Sequence, residues 1–186
     1  MDLGAVQSLL GGGGADSKAS LDQEIQDRMK ERKEASLEDG EIVLEDEEEL
    51  KAYQKANSNF SGEVIELKDS YSRVRLIPNE DMAVDDYNLI NQGFVFSAAH
   101  LGAMAAINSP KAMITHCSIK FLAPIELGNV IEFESFAKRK DMRKNEVKVI
   151  GKLLGIKIFE ADFNAVKLDK HPLKLKLSQE TKRKDI

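Results

Sequence analysis

Cysteine is almost missing from this chain: Cys117 stands alone among 186 residues. That excludes an intramolecular disulfide and a cysteine-built metal cluster, and it fits a reducing compartment. Histidine is scarce as well. His100, His116 and His171 are scattered, a poor basis for a zinc site. No apolar run reaches the ~20 residues that a membrane-spanning helix needs. The longest, Phe94 to Ile107, is 14 residues and contains Ser97 and His100. The opening MDLGAVQSLLGGGG has an acid at position 2 and no basic flank, so it does not read as a secretory leader. The expectation is a cytoplasmic protein. The GxxxxGK phosphate loop and the GxSxG nucleophile elbow are also absent.

Charge is abundant but uneven. Residues 1–60 hold 15 acids against 7 bases, whereas residues 61–186 hold 17 against 20. A shift of this size marks a boundary near residue 60. It also argues against nucleic-acid binding by the N-terminal third, which would repel phosphate. The expected organisation is an acidic extension over 1–60, one domain over 61–173 and a polar tail over 174–186.

Within the extension, Gly11 to Gly14 form a flexible joint. Ser20 and Gln23 have capping-box spacing, and Leu21, Ile25 and Met29 follow one turn apart on a helix ending near Ala35. So narrow a stripe cannot hold an isolated helix, which is therefore either solvated or docked on a partner. Glu38 to Glu49 carries eight acids and no base. It reads as a solvated linker or as an acidic arm over a basic surface.

From Gly62 the pattern changes. Glu63–Lys68 and Tyr71–Ile77 alternate polar with apolar, Val74 and Leu76 facing one way and Arg73 and Arg75 the other. Both are half-buried strands. A loop rich in Asp and Asn precedes Gly93–Ile107, which is apolar almost all round and rich in Ala and Gly. An amphipathic surface helix would keep a polar face, so this one is predicted to be buried, ending at Asn108-Ser109-Pro110. Long strands are predicted over Met113–Leu122, Val130–Lys140, Arg143–Leu154 and Gly155–Val166. The Asp141-Met142 pair makes a hairpin tip.

Two segments carry a family resemblance. The stretch Asn91-Gln92-Gly93 through His100 resembles the helix start of hotdog-fold acyl-CoA thioesterases. In that family, His-Gly-Gly is followed by apolar residues and an acid nine positions after the His. Phe121-Leu122-Ala123-Pro124 through Gly128-Asn129-Val130 resembles the same family's strand–turn–strand segment. The likeness covers roughly residues 62–170. It implies an α+β hotdog fold, a curled antiparallel sheet around a central helix. It also implies a homodimer, or a dimer of dimers, whose clefts take residues from both chains. More broadly, the chain looks like hotdog proteins co-expressed with flagellar genes of epsilonproteobacteria and linked to virulence.

The family likeness also implies a site. A thioester carbonyl rests on helix N-terminal N–H groups, which favour developing negative charge; here Gly93 and Phe94 would supply them. The chain departs from the family at two letters, with Asn91 in place of the His and His100 in place of the acid. The catalytic candidates are therefore His100, Asp86 and Asn91, with His100 equally readable as a buried neutral histidine. Asp85 and Asp86 also suit plain turn duty. The ligand-binding candidates are Asn88, Gln92, Gly93, Phe94 and His116. Lys138, Arg139 and Arg143 join them as a clamp for coenzyme A phosphates, unless that hairpin tip is merely solvated. Cys117 is expected in the core, facing away from His116. No cofactor is expected beyond the coenzyme A thioester itself, and no metal.

Three functions follow. The acid is missing where the family most needs it, so acyl-CoA binding with weak or no turnover comes first. Thioester hydrolysis, with the helix start as oxyanion hole, comes second. A non-catalytic interaction protein acting through the Leu21–Met29 helix comes third.

Overall fold

A computed structural model describes residues 48–138 and 143–174. The glycine joint, the Leu21–Met29 helix, the acidic run up to residue 47, Arg139, Lys140, the Asp141-Met142 tip and the tail beyond Lys174 lie outside these.

Alternation at a period of two builds the sheet. Strands β1 (Glu63–Lys68) and β2 (Tyr71–Leu76) form a hairpin turned at Ser70, whose φ is 58°. After the central helix α2 (Gln92–Ile107) come β3 (Ala112–Phe121), β4 (Ile131–Lys138), β5 (Lys144–Leu153) and β6 (Ile156–Lys167). They make one open six-stranded sheet, ordered β1-β2-β4-β5-β6-β3, with every neighbouring pair antiparallel. The expected four C-terminal strands are all present, within about two residues of their expected ends.

The two faces of the sheet differ in chemistry. On the inner face, Val74, Phe133, Gly151 and Phe159 line up across β2, β4, β5 and β6, with Ser72, Ser135, Val149 and Ala161 in the next row but one. Phe133, Phe159 and Phe163 are all but fully buried, and burying a side chain of this size stabilises by ~1.5–3 kcal/mol. On the outer face, the acids of β4 lie between the bases of β2 and β5. Arg75 pairs with Glu132 at 2.7 Å and Lys152 with Glu134 at 2.6 Å. Lys120 and Lys157 hold Glu160 at 2.7 and 2.9 Å. The exposed Arg75–Glu132 pair is worth ~0–1 kcal/mol, while Glu134 and Glu160 are partly buried beside their lysines.

Helix α2 lies against the inner face, and its closest approach is at Gly102. A Cβ there would sit 2.5 Å from Ser135 Oγ, while Ser72 Oγ donates to the Gly102 carbonyl at 2.8 Å. Only glycine permits that approach.

Residues 48–61 run along another face of α2. At its C-terminal end, Asn108 takes the left-handed conformation (φ 48°) and is buried. Its Oδ1 accepts the Lys51 N–H at 2.7 Å, and its Nδ2 donates to the Glu49 carbonyl at 2.9 Å and to Glu48 Oε2 at 3.0 Å. At the other end the segment closes in a one-turn helix α1 (Ser58–Ser61), capped by Asn57. With the sheet on one side and this strap on another, α2 has little need of a polar face.

Candidate functional site

The start of α2 is held by its own loop. Asp85 Oδ1 accepts the N–H groups of Tyr87 and Leu89, both at 3.0 Å, and Asn88 takes φ 62°. Short side-chain oxygens of this kind stabilise turns. The chain then pairs with the segment before β4: Ile90 N–H donates to the Ile125 carbonyl at 2.8 Å, and Leu127 N–H to the Asn88 carbonyl at 3.0 Å. Asn129 Oδ1 closes the second turn by accepting the Glu126 N–H at 3.0 Å. The residues just before the first resembling segment, Asn88 and Ile90, are thus bonded to the second, more than thirty residues on. Asn91 N–H, donating to the Met82 carbonyl at 2.9 Å, fixes where the helix begins.

Asn91 caps that helix. Its Oδ1 accepts the Gly93 N–H at 2.8 Å, and its carbonyl accepts the Phe94 N–H at 3.1 Å. The two N–H groups expected to receive a thioester carbonyl are therefore both engaged. Freeing the Gly93 N–H takes only a rotation of the exposed Asn91 side chain, whereas the Phe94 N–H belongs to the first turn.

Gly93 is exposed, and a Cβ added there would meet nothing but the Asn91 side chain, its Oδ1 at 3.1 Å. Its φ is not positive. Asp86, Asn88, Asn91 and Gln92 are exposed at the same end of the molecule. Phe94 is half-buried, with the Phe60 ring stacked on it, centroids 5.6 Å apart.

The other candidates lie elsewhere. His100 is nine residues on from Asn91, ~13 Å along the axis and roughly half a revolution round the helix. Its ring meets Tyr53, Phe96 and Phe163 at centroid distances of 5.4, 5.8 and 6.1 Å. Burial among these rings lowers the His100 pKa below its ordinary value and raises that of Tyr53. His116 is exposed on β3, opposite Asn164, and its neighbour Cys117 is half-buried against the core. Lys138 and Arg143 sit at the far end of the β4–β5 pair. The helix start adjoins the other end, where Leu76 is opposite Ile131. Lys138 is seven positions on from Ile131, ~23 Å of strand. Within one chain, the basic pair and the helix start are apart. Arg139 lies outside the described residues.

Three residues at this site gave no sequence signal: Tyr53, Phe60 and Ser61. They sit in a polar stretch with no hydrophobic period. Only the Asn57-capped turn hints at order there. Ser61 Oγ lies 2.9 Å from Ser97 Oγ, and Asn79 Nδ2 donates to the Asn59 carbonyl at 2.8 Å, pinning the turn beside α2. Among the described residues, no group of three His, Cys, Asp or Glu side chains is placed to hold a metal, and no helix is long and apolar enough to cross a membrane.

No family model matches the chain. Among solved structures, it is similar to a sigma28-regulated virulence protein from Campylobacter jejuni. The two are 35% identical with a TM-score of 0.66, over 68% of this chain and 89% of that one. A variant of an HP0420 homologue from Helicobacter felis is 30% identical with a TM-score of 0.63, over 67% and 88%. A hypothetical thioesterase from Streptococcus pneumoniae, solved with coenzyme A, shares the fold at 16% identity and a TM-score of 0.53, over 61% and 91%. Among curated proteins, a methylthioribose-1-phosphate isomerase from Aquifex aeolicus is 30% identical over 118 residues, 63% of this chain. The chain spans about a quarter of that relative's length (26%). An open antiparallel sheet around one long helix, and two solved relatives at 30% identity or more matched over nearly their whole length, lead to one conclusion: the chain belongs to the hotdog-fold, thioesterase-like family.

Proposed function

We propose that this protein binds an acyl-CoA at the start of α2 and turns it over weakly or not at all. Gly93 carries the reading. Gly102 is glycine because the sheet leaves no room for a Cβ, but Gly93 has no such reason in the fold. A helix-start glycine that packing does not demand suits the close approach of a ligand carbonyl. The helix dipole and the Gly93 N–H favour the carbonyl oxygen, with Asn91 rotating aside. The coenzyme A bound to the Streptococcus pneumoniae fold neighbour supports the ligand class.

Weak turnover follows from what surrounds that point. Helix α2 carries no carboxylate, and His100, at the family's acid position, faces three aromatic rings. Hydrolysis is the second reading, favoured by Asp86, whose exposed carboxylate shares this end of the molecule. The sheet ends at β1 and at the longer β3, and an unpaired edge strand invites a partner strand. A second copy paired along β3 is the proposed homodimer. Similarity to the sigma28-regulated virulence protein supports a regulatory role in virulence or motility, in the cytoplasm.

Calorimetric titration with acetyl-, octanoyl- and palmitoyl-CoA, run beside a thiol-release assay, tests this. Binding with little thiol release is expected. Rapid release abolished by Asp86→Asn would establish the second reading instead.

A further inference from the structure

The strap over α2 is not a bystander to its helix start. At about 100° per residue, Gly93, Phe94, Ser97, His100 and Asn108 fall within an arc of roughly 120°. The strap touches four of these five positions: Phe60 stacks on Phe94, Ser61 meets Ser97, Tyr53 meets His100, and the Lys51 N–H donates to Asn108. Gly102, against the sheet, lies outside the arc. A group seated on the Gly93 N–H and running along the helix therefore meets the strap, and it meets Phe60 first.

We infer that Phe60 is the gate residue of this site: its ring occupies the part of Phe94 along which an acyl group would lie, so binding displaces it. This rests on the helix start being an acyl-CoA site. The stack suits a removable cover. The rings are 26° from parallel with centroids 5.6 Å apart, and Phe60 is 36% exposed. The ring is already reached by solvent, and the contact it gives up on moving is the stack on Phe94. The turn that carries it is pinned separately, through Asn57, Asn79 and Ser61, so the ring can swing without the strap leaving. An acyl chain replaces the lost contact with its own apolar surface, and longer chains replace more of it. Phe60 therefore acts on the acyl part of the ligand and not on coenzyme A.

The chain has no tryptophan, so Phe60→Trp places a single fluorescent reporter in the gate. Its emission should shift on titration with octanoyl-CoA and stay fixed with free coenzyme A. Phe60→Ala removes the competing ring and should tighten octanoyl- and palmitoyl-CoA about three- to tenfold, with free coenzyme A unaffected. The gate is overturned if Phe60→Ala changes acyl-CoA affinities by less than about twofold. It is equally overturned if the tryptophan emission is unmoved while calorimetry records saturation. If neither the native protein nor Phe60→Ala binds any acyl-CoA, the acyl site itself is wrong and the gate falls with it. Phe60→Trp keeps an aromatic ring in place, so its thermal midpoint separates a folding defect from a gating effect.

Discussion

The Tyr53 ring lies 5.4 Å from the imidazole of His100, tilted by 38°, and closes a cluster completed by Phe96 and Phe163. None of the three partner rings offers a carboxylate to a charged imidazole, and burial lowers the His100 pKa. A histidine depressed in the folded state takes up a proton more readily when unfolded. Its stabilising contribution is thus complete above the ordinary value of ~6.5 and lost as pH falls through it toward the lower folded value. Urea midpoints should fall between about pH 7.5 and pH 5, and His100→Phe should flatten that slope. Glu160 does not confuse the window. Burial alone would raise its carboxyl, but the Lys120 and Lys157 ammoniums pull it down to about 2, so its contribution is lost only as pH falls from about 4.5 toward that value.

Gly93→Ala separates binding from folding. The added methyl meets only the Asn91 side chain, so stability by urea denaturation should change by less than ~1 kcal/mol. Acyl-CoA affinity should fall about tenfold or more, because the methyl stands where the ligand carbonyl approaches the backbone. Unchanged affinity would remove Gly93 from the site.

Gly102→Ala is the opposite case. Its methyl would lie 2.5 Å from Ser135 Oγ, and forcing such a contact costs ~1–3 kcal/mol. The Ser135 hydroxyl has no hydrogen-bond partner, so Ser135→Ala removes the clash without breaking a bond. The double variant should recover much of the loss, a coupling read from the cycle of denaturation midpoints.

Asn108→Gly tests the strap's anchor. Glycine keeps the left-handed backbone available but removes the bonds to Lys51, Glu49 and Glu48. At ~0.5–1.5 kcal/mol per net hydrogen bond, a loss of about 2–4 kcal/mol is expected. Limited proteolysis should then cut between residues 48 and 57 sooner than in the native protein. Equal cutting rates would show that the strap is held elsewhere.

Much was legible in the sequence because it is written locally. Alternation over Tyr71–Ile77, Val130–Lys140 and Arg143–Leu154 set which side chains face inward, since strand geometry has a period of two. The all-apolar helix announced its own burial. The segments around Gly93 and Gly128 marked the helix start and the turn beside it. The strap was not legible: Tyr53 and Phe60 lie in a polar stretch, and their packing depends on helix residues some forty positions away.

The amino-acid order alone therefore determined the six strands and the buried helix, which follow from spacing within a few residues, and carried the resemblance that points to the family. Tertiary structure decided the rest. It showed that Asn91 already caps the Gly93 N–H, that His100 faces aromatic rings, and that the Lys138–Arg143 end lies ~23 Å of strand away from the helix start. These are through-space relations. Side chains meet across the fold according to where strands register and a helix turns, and no local period in the sequence records that.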